Sequence, residues 1–383
     1  MKHEIRLPRL AASAAALALV TTSVATAQTF DTSAGPVEVT KVVADLDDPW
    51  AFAFLPDFAD SGAMLITEKD GTLRLFETAT GPVSVAGVPD VAARGQGGLL
   101  DVALAVDFAE TGLIYLSYAS RTDGGSQTRV AQGRLVRGDA PRLEDVEVIF
   151  RQEPAQSTSR HFGSRILVAD DGSLFVTIGD RGERSNAQDL TRHQGKIVRI
   201  LPDGSPHPEN PFIGNERGWR EEIFSYGHRN PQGAVLTADG TIWTTEHGAQ
   251  GGDEVNRPEA GMNYGWATIS YGEHYGGGRI GTGTEAEGME QPVYYWDPSI
   301  APSGLTYYTG TLFPEWQGDL IGGALKYRLV FRLDMEDGRV VGEERLLTRE
   351  FGRIRDVRSG PDGAIWFAAE GRGSAIYRMA PTD

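Results

Sequence analysis

The stretch that decides the fold is Asp239-Gly240-Thr241-Ile242-Trp243-Thr244-Thr245-Glu246. An Asp-Gly pair favours a tight turn, and the β-branched and aromatic residues that follow favour a strand. The same order returns at Asp362-Gly363-Ala364-Ile365-Trp366-Phe367-Ala368-Ala369-Glu370. Both apolar runs are short and are bounded by Gly, Asp or Glu, which is not the pattern of a long helix. They predict short strands connected by turns.

Related phrases occur four more times, each with a Gly-centred turn beside a short β-rich run. They are Ala63–Glu68, Gly112–Tyr118, Asp171–Gly179 and Asp319–Gly323. Six such units at spacings of roughly 40 to 70 residues are typical of the blades of a β-propeller. We therefore predict an all-β, six-bladed β-propeller that forms a single domain over residues 28–383.

The ring of a propeller is closed where the two ends of the chain meet in one blade. We expect the last run, Ala375–Met379, to pair with an amino-terminal strand around Val37–Val43. Two long polar stretches, residues 180–215 and 271–291, are expected to be loops on one rim of the ring, where long loops are often functional.

The amino end has the features of an export signal. Basic residues in positions 1–9 precede an Ala/Leu-rich run at 10–20, and Ala25-Thr26-Ala27 follows as a small-x-small cleavage site. This predicts a signal peptide over residues 1–27. A membrane anchor needs about 18 or more apolar residues, and this run is shorter. We expect a periplasmic or secreted protein with no membrane partner.

Composition excludes several classes of function. The 383 residues carry a formal net charge of −17 and include no cysteine. An acidic chain of this kind is a poor ligand for nucleic acid, which binds basic surfaces. The lack of cysteine excludes disulfides, thiolate metal sites and a cysteine nucleophile.

The candidate site lies where polar residues stand between glycines in loops that precede strands. Gln96, His161, Arg229 and Asn230 all have this position. In a propeller such loops converge at one mouth of the central channel, where ligands bind. We therefore predict a site at the mouth of the channel.

Four cations belong to the same predicted mouth: Arg229, Lys326, Arg353 and Arg355. If they are buried they need an anionic partner. In an acidic protein, this cluster predicts a small, highly anionic ligand. The adjacent carboxylates of Asp253 and Glu254 are candidate ligands for a hard cation such as calcium.

Six motifs taken together resemble a known family. They are Tyr226–Gly233, Glu246–Glu254, Asn263–Trp266, Ala301–Gly304, Leu325-Lys326 and Arg353–Asp356. Their order and spacing resemble the soluble, pyrroloquinoline quinone (PQQ)-dependent sugar dehydrogenases, in particular the aldose sugar dehydrogenase branch of the glucose/sorbosone dehydrogenase family. The resemblance extends from about Leu46 to Met379 and implies a six-bladed propeller, in agreement with the repeat count.

The resemblance implies a role for each matching residue. His161 would be the general base, and Gln96 would contact cofactor or substrate. The other expected cofactor contacts are Arg229 and Asn230 with the quinone, Tyr275 nearby, and Lys326, Arg353 and Arg355 with the PQQ carboxylates.

Two calcium ions are also implied. The carbonyls of Gly248 and Ala249 would hold the ion that touches PQQ, and Glu254 with Tyr264 would hold a further ion. The implied reaction is oxidation of an aldose at its C1 hydroxyl to the lactone, with a sugar substrate, an external electron acceptor, and a monomer or homodimer as the assembly.

Two departures from the soluble glucose enzymes fall on the substrate side. Arg160 stands where they have Asp before the histidine, and Asp297-Pro298-Ser299 stands where they have Trp-Pro-Thr. Both changes weaken the expectation that glucose is the preferred sugar.

Two alternatives remain open at the level of sequence, because propellers host many functions. One is a binding module for sugar or protein. The other is a calcium-dependent lactonase that uses His161 or His247 with Asp253 and Glu254. The basic residues of the predicted mouth favour the dehydrogenase, since a lactonase needs carboxylates around its metal.

Overall fold

The computed structural model describes residues 27–382. Apart from Ala27, the predicted signal peptide lies outside the described residues and stays a prediction. Within residues 27–382, no helix has the length and apolar character needed to cross a bilayer.

The chain forms six antiparallel sheets. It begins with a hairpin of β1 (Gln28–Thr32) and β2 (Gly35–Val43). Five four-stranded blades follow, each with its strands in chain order. Blade 1 contains β3 (Pro49–Phe54), β4 (Met64–Glu68), β5 (Leu73–Glu77) and β6 (Gly81–Ser84). Blade 2 contains β7 (Leu99–Leu104), β8 (Leu113–Thr122), β9 (Gly125–Val136) and β10 (Arg142–Arg151).

The next three blades repeat the arrangement. Blade 3 contains β11 (Ile166–Val168), β12 (Leu174–Ile178), β13 (Lys196–Ile200) and β14 (Ile223–Tyr226). Blade 4 contains β15 (Pro231–Leu236), β16 (Ile242–Glu246), β17 (Asp253–Asn256) and β18 (Tyr294–Trp296). Blade 5 contains β19 (Pro302–Tyr307), β20 (Leu320–Ala324), β21 (Leu329–Glu336) and β22 (Arg339–Leu346).

Blade 6 is built from both ends of the chain. Its strands β23 (Arg353–Ser359), β24 (Ile365–Glu370) and β25 (Ala375–Pro381) are extended by β2 and β1. Val39 of β2 pairs with Met379 of β25, and both are buried. The predicted closure of the ring is confirmed.

Helices are few and short in the described residues. Two α-helices, α1 (Phe58–Ser61) and α2 (Phe108–Thr111), connect the first two strands of blades 1 and 2. Two 3₁₀ helices span Arg184–Gln188 and Pro314–Trp316.

The six recurring phrases form the second strands of the six blades: β4, β8, β12, β16, β20 and β24. A second strand is paired on both edges and covered on both faces by neighbouring blades. All residues of β4, β12, β16, β20 and β24 are buried as a result. The all-β, six-bladed prediction is confirmed, because each phrase corresponds to one blade.

The prediction for residues 180–215 is wrong in part. Strand β13 lies inside this stretch, where Ile197, Val198 and Ile200 are buried in the core. Residues before β13 lie at the mouth, whereas those after it turn at the opposite end of the blade. The strand divides the stretch, so it is not one loop on one rim.

Four charged side chains on the innermost strands or just before them fill the axis of the ring. We call this group, Asp101, Arg165, Asp356 and Arg358, the axial ion cluster. Arg165 lies 3.3 Å from Asp101 and 3.0 Å from Asp356, and Arg358 contacts the same two carboxylates at 3.0 Å each. The Arg165 side chain is 2% exposed and both carboxylates are almost fully buried. The cluster therefore connects blades 2, 3 and 6 through charges that water does not screen.

Replacing Arg165 by Met should lower the free energy of unfolding by about 3–5 kcal/mol, because removing one partner leaves buried charge uncompensated. Urea denaturation would measure the loss. The control is Arg257→Met, which removes an exposed pair with Glu259. Equal losses in both variants would contradict a special role for the axial ion cluster.

Candidate functional site

The loops that precede the first strands and the turns that follow the second strands meet at one end of the ring. They enclose a cavity of about 480 Å³. This volume lies in the range of about 300–1,000 Å³ that holds small ligands. Its lining comes from all blades except blade 3: Asp48, Trp50, Lys69, Gly95, Gln96, Asn230, Gln232, His247, Ala301, Leu325, Arg353, Arg355, Glu370 and Gly371.

His161 of blade 3 lies beside this cavity and is held by two hydrogen bonds. Its backbone N–H donates to Oε1 of Gln96 at 2.6 Å, and its Nδ1 lies 2.6 Å from Oδ1 of Asp180. The residue has φ of 53°, in the left-handed region that a non-glycine residue enters at a cost. Within the described residues Nε2 of His161 makes no hydrogen bond. This nitrogen is therefore the one that remains available to a ligand.

Asp180 fixes the orientation of the histidine ring. Its second carboxylate oxygen accepts a hydrogen bond from Nε1 of Trp266 at 2.8 Å, and the residue is 1% exposed. Burial alone would raise the pKa of the Asp180 carboxyl, but the interactions with His161 and Arg229 outweigh it and lower the pKa. An anionic Asp180 selects the tautomer of His161 that carries its proton on Nδ1.

The same environment keeps the imidazole neutral. Burial is the main reason that the pKa of His161 lies below its ordinary value. The charges of Arg229 and Arg160 lower it further, whereas Asp180 acts in the opposite direction. A neutral ring with a free Nε2 can accept a proton near neutral pH.

Arg229 and Tyr275 lie next to each other beside His247, which lines the cavity. The guanidinium donates to the carbonyl of His247 at 3.0 Å and lies 5.2 Å from the centre of the Trp266 ring. Its other nitrogen lies 3.5 Å from the hydroxyl of Tyr275, which is 73% exposed. Tyr275, which was expected near the cofactor, thus lies next to Arg229, which was expected to contact the quinone.

Asn230 connects two blades at the floor of the cavity. Its side-chain oxygen accepts from the backbone N–H of Gly163 at 3.2 Å and from Gln232 at 3.4 Å. Gln96 is exposed and lines the cavity. Gln96 and Asn230 therefore both lie at the mouth of the channel, where the sequence placed them.

The cations of blade 6 are already partly neutralised. Arg355 makes two hydrogen bonds to Glu370, at 2.9 and 3.0 Å, and Arg353 reaches the same carboxylate at 2.9 Å. Burial acts to raise the pKa of Glu370, but Arg355, Arg353 and Lys69 together hold it below its usual range. The buried Arg355 thus has an anionic partner inside the protein, and its burial alone does not require an anionic ligand.

Lys326 was expected at the mouth of the channel but lies outside the cavity. It follows β20 in an exposed turn and does not line the cavity, although its neighbour Leu325 does. Its Nζ lies 5.4 Å from the ring centre of Tyr327. The exposed Arg353, with half of its side chain in solvent, and the lining residue Lys69 are the cations nearest to the open cavity.

The turn after β16 carries the predicted calcium carbonyls. Gly248 donates its N–H to Asp253 at 2.8 Å, and Asp253 also accepts from Ala301 at 2.7 Å. The carbonyls of Gly248 and Ala249 accept no hydrogen bond within the described residues. Asp253 therefore holds the turn in place and is not the free metal ligand that its sequence suggested.

Glu254 and Tyr264 belong to one buried cluster around His228. The ring of Tyr264 stacks on His228 with centres 4.8 Å apart, and His228 lies 3.0 Å from Glu246. Asn256 donates to both Glu246 and Glu254, at 2.9 and 3.1 Å. Burial, and then the Glu246 charge, raise the pKa of Glu254 well above its usual value. The carboxylates of Glu246 and Glu254 therefore lie close together.

No set of three or more His, Asp or Glu side chains in residues 27–382 is arranged as a metal site. Any hard cation at Glu254 would therefore need backbone carbonyls to complete its shell, as calcium commonly uses.

Sequence reasoning missed Asp180, Glu370 and Lys69 as site residues. Each ends a second strand or lies within two residues of its end, close to the position that Glu246 and His247 occupy in blade 4. Comparison of that position across the recurring phrases would have found all three.

Comparisons with known proteins agree with this geometry. The sequence model of the Glucose / Sorbosone dehydrogenase family matches residues 46–378. The aldose sugar dehydrogenase YliI of Escherichia coli (strain K12) is 43% identical over 343 residues, which cover 88% of this chain and 91% of that protein.

Two solved structures extend the comparison. The apo form of the soluble aldose sugar dehydrogenase from Escherichia coli superposes with a TM-score of 0.86 at 43% identity, covering 90% of this chain and 100% of that one. The PQQ-bound aldose sugar dehydrogenase from Streptomyces coelicolor superposes with a TM-score of 0.74 at 27% identity, covering 90% and 98%. The chain belongs to the glucose/sorbosone dehydrogenase family.

Proposed function

We propose that this protein is a PQQ-dependent aldose sugar dehydrogenase that oxidises the C1 hydroxyl of an aldose to the lactone. One observation carries the proposal. A neutral His161, oriented by Asp180 and with Nε2 free, lies beside a cavity in a family with a PQQ-bound member. The matching test is sugar-dependent dye reduction by the purified protein after addition of PQQ and calcium, with a panel of aldoses as substrates.

The charges at the mouth and the volume of the cavity support PQQ as the cofactor. The cofactor carries three carboxylates, and Lys69, Arg353 and Arg229 offer positive charge on different sides of the cavity or its wall. The cavity volume suits a small tricyclic molecule. Arg353 and Lys69 would bind its carboxylates, and Arg229 and Asn230 would contact the quinone.

When bound, PQQ supplies an electrophilic quinone that accepts the hydride. The protein's contribution is position and proton transfer. Nε2 of His161 takes the proton of the C1 hydroxyl, and Asp180 stabilises the imidazolium that forms. The Arg229 guanidinium stabilises negative charge at the mouth.

Oxygen atoms at two places in this chain support a proposal of bound calcium. The carbonyls of Gly248 and Ala249, for which the described part of the chain supplies no donor, offer oxygen ligands next to His247, which lines the cavity. The buried pair of Glu246 and Glu254 would be relieved by a cation, which the Tyr264 carbonyl could help to hold. We propose that the first ion acts with the cofactor, as a Lewis acid, and that the second stabilises the fold.

The lactonase alternative has less support. Asp253 is occupied by two backbone N–H groups. Nε2 of His247 contacts the carbonyl of Pro302 at 2.7 Å, and burial lowers the pKa of His247 to about 3. His247 therefore donates a hydrogen bond to the backbone.

Export to the periplasm or medium is proposed from the sequence of residues 1–27.

Replacing His161 by Gln should lower kcat by about 10²–10⁴, because general-base catalysis is lost while the cavity keeps its shape. Stopped-flow measurement of sugar oxidation by the PQQ-loaded protein tests this. His207→Gln, in the connection after β13, is the control. A His161→Gln variant with wild-type turnover would rule out His161 as the base.

The pH dependence of kcat/KM should report the protonation state of His161. Because its pKa lies below the ordinary value of about 6.5, kcat/KM should fall only as pH drops below that value. Asp180→Asn should shift this acid limb to still lower pH, since the carboxylate raises the pKa of His161. It should also reduce kcat, because the ring loses its fixed tautomer.

The exposed turn variant Asp171→Asn is the control for that experiment and should leave the profile unchanged. If the acid limb of kcat/KM lies at the same pH in Asp180→Asn as in the wild type, the interaction between Asp180 and His161 does not set the basicity of His161.

Calcium should raise the melting temperature of the PQQ-free protein, because an ion that binds only the folded form stabilises it. The gain is about 2.7 kcal/mol at about 100 times the dissociation constant. Glu254→Gln should abolish this shift, whereas Glu259→Gln, on an exposed loop, should keep it. A calcium-independent melting temperature in the wild type would exclude the structural ion.

A further inference from the structure

A second cavity lies on blade 6 next to the mouth. Its volume is about 550 Å³. Arg353, Glu370 and Gly371 line both this cavity and the one at the mouth, so the two share a wall. We call the second cavity the blade 6 groove.

The groove is basic in an acidic protein. Its lining includes Lys41, Arg328, Arg349 and Arg372, all exposed, and none of the four has a carboxylate within 4.0 Å among the described residues. Of its two lining carboxylates, Glu370 is engaged by Arg353 and Arg355, and Glu350 stands alone. The groove thus has four cations without a carboxylate partner against the single carboxylate of Glu350, an excess of positive charge that favours an anionic ligand.

The groove also has an aromatic side. Phe351 and Tyr377 line it with ring centres 4.6 Å apart, and Nζ of Lys41 lies 5.8 Å from the centre of the Tyr377 ring. Cations around aromatic rings favour a flat, conjugated anion over a compact ion such as phosphate.

Two of the free cations lie on strained backbone. Arg328 has φ of 53° and Arg349 has φ of 66°, and the N–H of Arg349 donates to the carbonyl of Arg328 at 2.8 Å. Such conformations cost free energy and occur preferentially at functional sites. Here they hold two arginines together on one side of the groove.

We propose that the blade 6 groove binds the electron acceptor, and that this acceptor is an anionic quinone or quinone-imine. The inference rests on the proposed function, which requires an external acceptor. Two electrons and two protons leave the reduced cofactor, which returns to its quinone form. The acceptor takes them up and forms two new O–H or N–H bonds. The shared wall places the acceptor beside the cofactor.

The probe is oxidised 2,6-dichlorophenolindophenol, a planar quinone-imine that is anionic above neutral pH. Its binding to PQQ-free protein is measured by equilibrium dialysis at low salt. The double variant Lys41→Gln/Arg349→Gln should raise the dissociation constant about three- to tenfold, as expected for loss of two exposed charge contacts. Arg339→Gln, an exposed arginine at the start of β22, should leave it unchanged.

A second measurement separates the groove from the mouth. Saturating PQQ should not displace the dye. In the loaded protein, the double variant should raise KM for the dye by a similar factor. The rate of anaerobic cofactor reduction by sugar, and turnover with the cationic acceptor phenazine methosulfate, should be unchanged.

Equal dye affinity in the wild type and the double variant would overturn the proposal, and so would displacement of the dye by PQQ. If the dye binds as expected but sugar never reduces the bound cofactor, the proposed function fails. In that case the groove remains an anion site and its acceptor role is refuted.

Discussion

The axial ion cluster is the constraint on which the rest of this structure depends. The Arg165 guanidinium contacts two carboxylates, the carbonyls of Gln232 and Arg355, and the face of Trp50 at 4.2 Å. Those partners come from blades 1, 2, 4 and 6, while Arg165 itself precedes β11 of blade 3. Buried charges are costly unless every partner is in place, so the innermost strands of blades 1, 2, 3, 4 and 6 must meet in one arrangement.

The residues proposed for catalysis are attached directly to this centre. His161 lies four residues before Arg165, and Arg355 gives its carbonyl to the cluster and its side chain to the mouth. Asp180 follows the second strand of the same blade as His161. Gly179 permits the close approach, because a Cβ there would collide with the His161 carbonyl. A site built on rigid strands keeps base and carboxylate at hydrogen-bonding distance.

Charge is distributed unevenly over the protein. The chain is strongly acidic, yet the mouth and the blade 6 groove both present free cations. Glu370 lies between them and neutralises Arg355, which limits the cost of keeping that cation buried. Lys69, which lines the mouth, and the half-exposed Arg353, which shares Glu370 with Arg355, are the cations that a ligand can reach. This arrangement suits anionic cofactors and acceptors and leaves the acidic remainder of the surface to maintain solubility.

Local sequence determined the second strand of each blade, the number of blades and several of the polar residues at the mouth. Asp-Gly turns and β-branched runs such as 239–246 specify structure within a few residues, so the blade count and the closing strand were predictable. His161, Arg229 and Asn230 were found because glycines flank them in loops before strands. Only the tertiary structure decided which charges pair. Asp180 reaches His161 across 19 residues, and Glu370 reaches Arg355 across 15. Strand β13 was missed within a polar stretch, and Lys326 lies outside the cavity. Pairing and burial depend on how blades pack against each other, and no local pattern contains that information.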